Sequence, residues 1–131
     1  EIDHLKGAPG VRSARYSDPG ASDEKNIGKV LRLMKGVPRP SRRARFVCQL
    51  VLSQKGRVLK TCRGQVRGSI AREKKGDHGF GYDPIFFYRP FGRTFGELAP
   101  EIKNSVSHRG RALKKMKTYL FQYAQGTEKK T

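Results

Sequence analysis

Acidic residues are scarce in this sequence: 11 Asp and Glu stand against 29 Lys and Arg, a formal charge of +18 on 131 residues. A cluster of carboxylates able to hold a divalent cation, or to divide acid and base work, therefore has little to draw on. Asp23 and Glu24 are neighbours at what reads as a helix start, and Asp77 and Asp83 flank a loop with no third ligand in view. No metal ligands are expected from this chain. Cysteine is nearly absent too. Cys48 and Cys62 match no metal-ligand spacing, and each falls in a stretch that reads as strand, so two buried free thiols are expected. Tryptophan is missing altogether. No apolar run approaches a membrane span and no charged-then-apolar leader opens the chain, which points to a soluble, cytoplasmic protein.

What is present suffices for one modest core. The hydrophobic fraction is 35%, with seven Phe and five Tyr, and the length suits a single domain. We expect one α/β domain over residues 1–125 and a frayed, disordered tail over residues 126–131. The positive charge exceeds what packing requires and attracts polyanions. Nucleic acid, an acidic partner and plain solubility all remain open as its reason.

Along the chain, Ile27, Val30, Leu31 and Met34 recur at helical spacing from Ser22 to Lys35, with Ser22 as N-cap and Gly36 as stop. The apolar run from Ala44 to Leu52 reads as a strand buried on both faces. Ser53-Gln54-Lys55-Gly56 reads as a hairpin turn, and Arg57 to Ile70 as its partner strand. In that partner Val58, Cys62 and Val66 share one face, and Arg57, Arg63 and Arg67 the other. Gly64 and Gly68 suggest a bulge or close packing of another element. Ile85 to Tyr88 reads as a strand, and Thr94 with Glu97 has capping-box spacing. A last helix presents Ala112, Leu113, Met116, Tyr119, Leu120 and Tyr123 on one face. The expected architecture is a mixed sheet containing a hairpin, flanked by two amphipathic helices.

The most informative stretch is Gly79-Phe80-Gly81-Tyr82-Asp83-Pro84, answered by Lys103-Asn104-Ser105-Val106-Ser107-His108-Arg109. An aromatic ring between two glycines is open to a planar ligand, because no β-carbons crowd it. The second segment sets Lys103, Ser107, His108 and Arg109 at a helix start, where orphan N–H groups favour an anion or a carbonyl oxygen. Together they read as a pocket for a base and its phosphates.

These blocks resemble the second half of the inosine/xanthosine triphosphate pyrophosphatase family. Leu5-x-Gly7-Ala8-Pro9-Gly10-Val11-x-Ser13-Ala14-Arg15-Tyr16, Arg43-Ala44-Arg45-Phe46, Gly64-x-Val66-x-Gly68-x-Ile70 and Thr94-x-x-Glu97-Leu98 agree with it in order. Lys6 departs from the small residue common there. The resemblance implies an elongated two-lobed fold and hydrolysis of nonstandard purine nucleoside triphosphates (ITP, dITP, XTP) to monophosphate and pyrophosphate. It also implies magnesium and a homodimer. By the same resemblance the general base, a phosphate-gripping loop and the magnesium ligands precede Glu1. The chain, which starts without methionine, is then expected to carry the base-recognition half and to be inactive by itself.

In that reading Phe80, Gly81, Tyr82, Asp83, Lys103, Ser107, His108 and Arg109 bind substrate. Inosine and xanthosine present a 6-oxo group where adenine presents an amino group. Donors from His108 and Arg109 pair with the oxygen and are left unpaired by adenine, at roughly 1–3 kcal/mol per unmet contact. Stacking on Phe80 is indifferent to base identity. A rival reading makes the chain a basic nucleic-acid or assembly-binding module without catalysis, as the charge favours.

Overall fold

A computed structural model describes residues 1–128, with side chains through Gly126. Among the described residues, four strands form one sheet in the order β1-β2-β3-β4: β1 Arg43–Gln54, β2 Arg57–Ile70, β3 Phe86–Tyr88 and β4 Arg93–Thr94. The α-helices are α1 Asp23–Leu33, α2 Pro100–Val106 and α3 His108–Glu128, with short 3-10 turns between elements. The α/β class expected from the sequence holds. The β2–β3 and β3–β4 pairings are antiparallel, with Ser69 opposite Phe87 and Phe87 opposite Thr94. Lys55 and Gly56 join β1 to β2, both at positive φ, as a two-residue hairpin turn requires.

The chain forms two compact units. The first holds Glu1–Arg45 and Arg67–Lys103; the second holds Phe46–Val66 and the chain from Asn104 onward. In the first unit, Ser22 caps α1 by accepting the Lys25 N–H at 3.2 Å. Helix α1 buries Ile27 and Val30, Met34 is buried just past its end, and Ile85, Phe86 and Phe95 complete the best-shielded apolar set. The Phe86 and Phe95 rings lie 4.8 Å apart in a tilted pair. Arg42, only 3% exposed, donates to the carbonyls of Met34, Val37, Ile70 and Ala71. Burial, with the charge of Arg72 second, draws its pKa below the usual guanidinium value. The expected capping box is present: Thr94 N–H donates to Glu97 Oε1 at 3.0 Å.

In the second unit Cys62 and Val66 of β2 and Ala112 and Met116 of α3 are buried. The close approach expected at Gly64 is there: a β-carbon would sit 2.2 Å from the His108 carbonyl oxygen. Several expectations need correction. Strand β1 is not buried on both faces: it is the edge of the sheet, and along it only Ala44 is buried. Val58 is exposed near the hairpin tip instead of sharing the buried face of Cys62 and Val66. On α3, Leu113, Leu120 and Tyr123 are exposed, the two leucines lying one residue further round the helix than Ala112 and Tyr119. The helix also continues through Gly126 to Glu128, where a frayed tail is expected from the sequence; residues 129–131 lie outside the described residues. Both cysteines are free thiols, Cys62 buried and Cys48 half-buried. Among the described residues no helix is long and apolar enough to cross a membrane.

Candidate functional site

The Gly79–Asp83 turn is built so that one ring projects and its neighbours anchor it. Gly79 has φ +77°, and a β-carbon there would meet the Asp83 carboxylate at 2.1 Å. Asp83 is 3% exposed, and its Oδ2 accepts the Phe80 N–H at 3.0 Å and the Lys103 ammonium at 2.5 Å. That ammonium also lies 4.5 Å from the centroid of the Phe80 ring, a cation–π contact. Phe80 itself is 55% exposed. The first unit therefore brings three of the expected residues together as one device: an outward ring, a cation held against it, and a buried carboxylate that fixes both. The sequence offers Lys103 to a phosphate or a base edge; in the structure Asp83 neutralises its charge.

Gly81 and Tyr82 tie the same turn to the start of the chain. The Gly81 N–H donates to Asp23 Oδ2 at 2.9 Å, and the Tyr82 hydroxyl donates to the Ser13 carbonyl at 2.6 Å. Burial pushes the Tyr82 phenol up to about 12, with Tyr16 and Asp23 adding to the shift. Two contributors escape the sequence reading. Asp23 reads there only as part of a helix start. Asn26, 2% exposed, carries no motif within α1, yet its Oδ1 accepts the Ser17 N–H and hydroxyl, and its Nδ2 donates to the Ser13 and Ala14 carbonyls. The available signal is an amide side chain next to Ile27 on the apolar face of a helix, where it needs partners. Asn26 thus holds the loop that in turn holds Tyr82.

Ser107, His108 and Arg109 belong to the second unit. Ser107 is buried at the corner between α2 and α3, and its Oγ accepts the Gly110 N–H at 3.1 Å. Gly110 has no space for a β-carbon, which would meet the Asn104 carbonyl oxygen at 2.0 Å. The corner is therefore tight, and it fixes where α3 begins. The His108 ring stacks on Phe46 with centroids 4.9 Å apart and planes at 19°, while Arg109 is exposed.

Magnesium, which the resemblance implies, is held by several oxygen donors. Among the described residues no group of three or more His, Cys, Asp or Glu side chains gathers to hold a metal, and Asp83, the buried carboxylate of the platform, is occupied by Lys103. The described residues do not fit that ion.

An α/β protein that projects an aromatic ring from a Gly-Phe-Gly-Tyr-Asp turn, backed by a lysine–aspartate pair, is the class defined so far. The chain belongs to the Ham1 family, whose model matches residues 1–119. It is 50% identical over 115 residues to the dITP/XTP pyrophosphatase of Escherichia coli (strain K12), covering 86% of this chain and 58% of that protein. To the dITP/XTP pyrophosphatase of Bacillus subtilis (strain 168) it is 48% identical over 119 residues, covering 91% and 60%. Two solved structures share the fold. A HAM1 protein from Coxiella burnetii superposes with a TM-score of 0.86 at 42% identity, covering 92% of this chain and 62% of that one. The Ham1 protein of Staphylococcus aureus gives 0.88 at 39%, covering 94% and 63%. The chain spans 58% and 60% of the length of the two curated relatives just named.

Proposed function

We propose that this chain supplies purine recognition to a nucleoside-triphosphate pyrophosphatase acting on nonstandard purine nucleotides such as ITP, dITP and XTP. The observation that carries the reading is the outward Phe80 ring with the Lys103 ammonium held against it by buried Asp83. A ring held in place stacks a base without first losing side-chain freedom. Membership of the Ham1 family and relatives named dITP/XTP pyrophosphatases support the same substrate class. Hydrolysis between the α- and β-phosphates is proposed for the whole protein, as is a homodimer; the described residues provide no metal centre from which to derive that step.

Stacking accepts any base, so selectivity falls to polar donors. His108 and Arg109 carry that role in this reading, as donors to a 6-oxo group, and Ser107 fixes the corner from which they project. The experiment is calorimetric titration of the chain with ITP and ATP. ITP is expected to bind at least about tenfold more tightly than ATP, since each unmet donor costs roughly 1–3 kcal/mol. Phe80→Ala is expected to weaken both nucleotides alike, by about fivefold or more given about 1–3 kcal/mol of stacking per base. His108→Ala with Arg109→Ala is expected to abolish the preference. Equal affinity for ITP and ATP in the unaltered chain, or a Phe80→Ala variant that binds undiminished, overturns the proposal.

A further inference from the structure

The second unit is almost free of negative charge. No Asp or Glu occurs from Phe46 to Val66 or from Asn104 to Gly126. Arg57, Lys60 and Arg63 stand along β2, and Arg109, Arg111, Lys114, Lys115 and Lys117 along α3. Where Gly64 lets the helix approach the strand, a cleft of about 470 Å³ is lined by Gly64, Gln65, Arg111, Lys114, Lys115 and Thr118. Its lining offers three cations, an amide and a hydroxyl, and no carboxylate. Two of the cations are anchored: Lys115 donates to the Arg63 carbonyl at 2.6 Å, and Arg111 to the Val106 carbonyl at 2.8 Å. Further along the same helix Phe121 is 66% exposed and Tyr123 49% exposed. Tyr119 and Tyr123 pair at 6.1 Å, and the Lys60 ammonium lies 5.6 Å from the Tyr119 ring centroid.

We infer that this face binds single-stranded nucleic acid, with phosphates in the cleft at Arg111, Lys114 and Lys115 and bases on the exposed rings of α3. A single small anion needs one or two cations, whereas cations repeated along a strand and a helix match a repeating phosphate. Aromatic rings beside such a row suit unstacked bases, which a duplex keeps buried. The inference is independent of purine triphosphate recognition, since the residues it rests on, Arg111, Lys114, Lys115, Phe121 and Tyr123, have no part in the purine site proposed above.

The test is fluorescence polarisation of the 131-residue chain with labelled oligo-dT and oligo-U across a salt series. Binding is expected with log K falling against log salt at a slope of about −2, from three phosphate contacts at about −0.7 each. Arg111→Gln with Lys114→Gln is expected to weaken binding about tenfold and to flatten that slope. Phe121→Ala with Tyr123→Ala is expected to weaken it at least about fivefold without changing the slope. Lys25→Gln with Lys35→Gln, in the other unit, should change neither. Thermal melts accompany each variant, and Lys114→Gln with Lys117→Gln replaces the first pair if it melts early. Failure to bind at low salt, equal affinity for a duplex, or equal competition by polyglutamate or phosphatidylserine vesicles at matched charge each overturns the inference. So does undiminished binding by the cleft and ring variants.

Discussion

Asp83 serves the Phe80 amide and the Lys103 ammonium from one buried oxygen. Removing the carboxylate strands a lysine that is itself largely buried, so Asp83→Ala is expected to cost about 3–5 kcal/mol, read as a drop in the urea midpoint. Lys103→Met with Asp83→Leu should recover much of that loss, because the pair is then replaced by apolar packing. Tyr82 gives a pH signature. Its folded pKa, about 12, lies above that of a free phenol, so the proton is held more tightly in the folded chain. Its contribution to stability is thus complete below about pH 10 and lost as pH rises through about 12. Tyr82→Phe removes the bond to the Ser13 carbonyl and should cost about 1 kcal/mol at about pH 8. The gap between wild type and variant should close as the pH is raised through that window. At this scale the sequence shows Phe80, Asp83 and Lys103 as a set but not how they are wired. Asp23 and Asn26 acquire their roles from carbonyls and amides dozens of residues away or on another loop, and no local spacing reports such partners.

At the scale of elements, the junction of β2 and α3 depends on an absent side chain. Gly64 leaves room for the first turn of the helix, and a methyl there would press on the His108 oxygen at 2.2 Å and the Ala112 nitrogen at 2.5 Å. Both are backbone atoms and cannot rotate away. Gly64→Ala is expected to destabilise by about 1–3 kcal/mol, seen by hydrogen exchange as loss of protection in α3 and the hairpin. The turn at Lys55-Gly56, the Ser22 cap and the Thr94–Glu97 box are all legible, because each is a short-range match between a side chain and its own backbone. The burial of β1 and the inward face of α3 are misread from the sequence for one reason. Apolar periodicity says which residues are able to be buried, while what covers them depends on where other elements end. Strand β1 lies at the edge of the sheet, and of its residues only Ala44 is buried.

For the whole molecule, the charge is the dominant fact. A net +18 on 131 residues repels itself, and ion pairs such as Glu1 with Arg45 and Asp83 with Lys103 can offset little of it when acidic residues are so few. Added salt shortens the reach of that repulsion, from about 30 Å at 0.01 M to about 8 Å at 0.15 M. The melting temperature is therefore expected to rise across that range, by about 4 °C for each kcal/mol of repulsion screened. A melting point that falls or stays flat would show that the cations are already spaced widely enough to ignore one another. The sequence by itself determined the α/β class, the hairpin, the Ser22 cap and the family, since these rest on local chemistry and on blocks of residues kept in order. Only the tertiary structure decided that Asp83 takes the charge of Lys103, that Asn26 holds the Tyr82 loop, and that a basic cleft opens where Gly64 admits α3. Those outcomes depend on distances between residues far apart in the chain, and a linear string of side chains carries no distances.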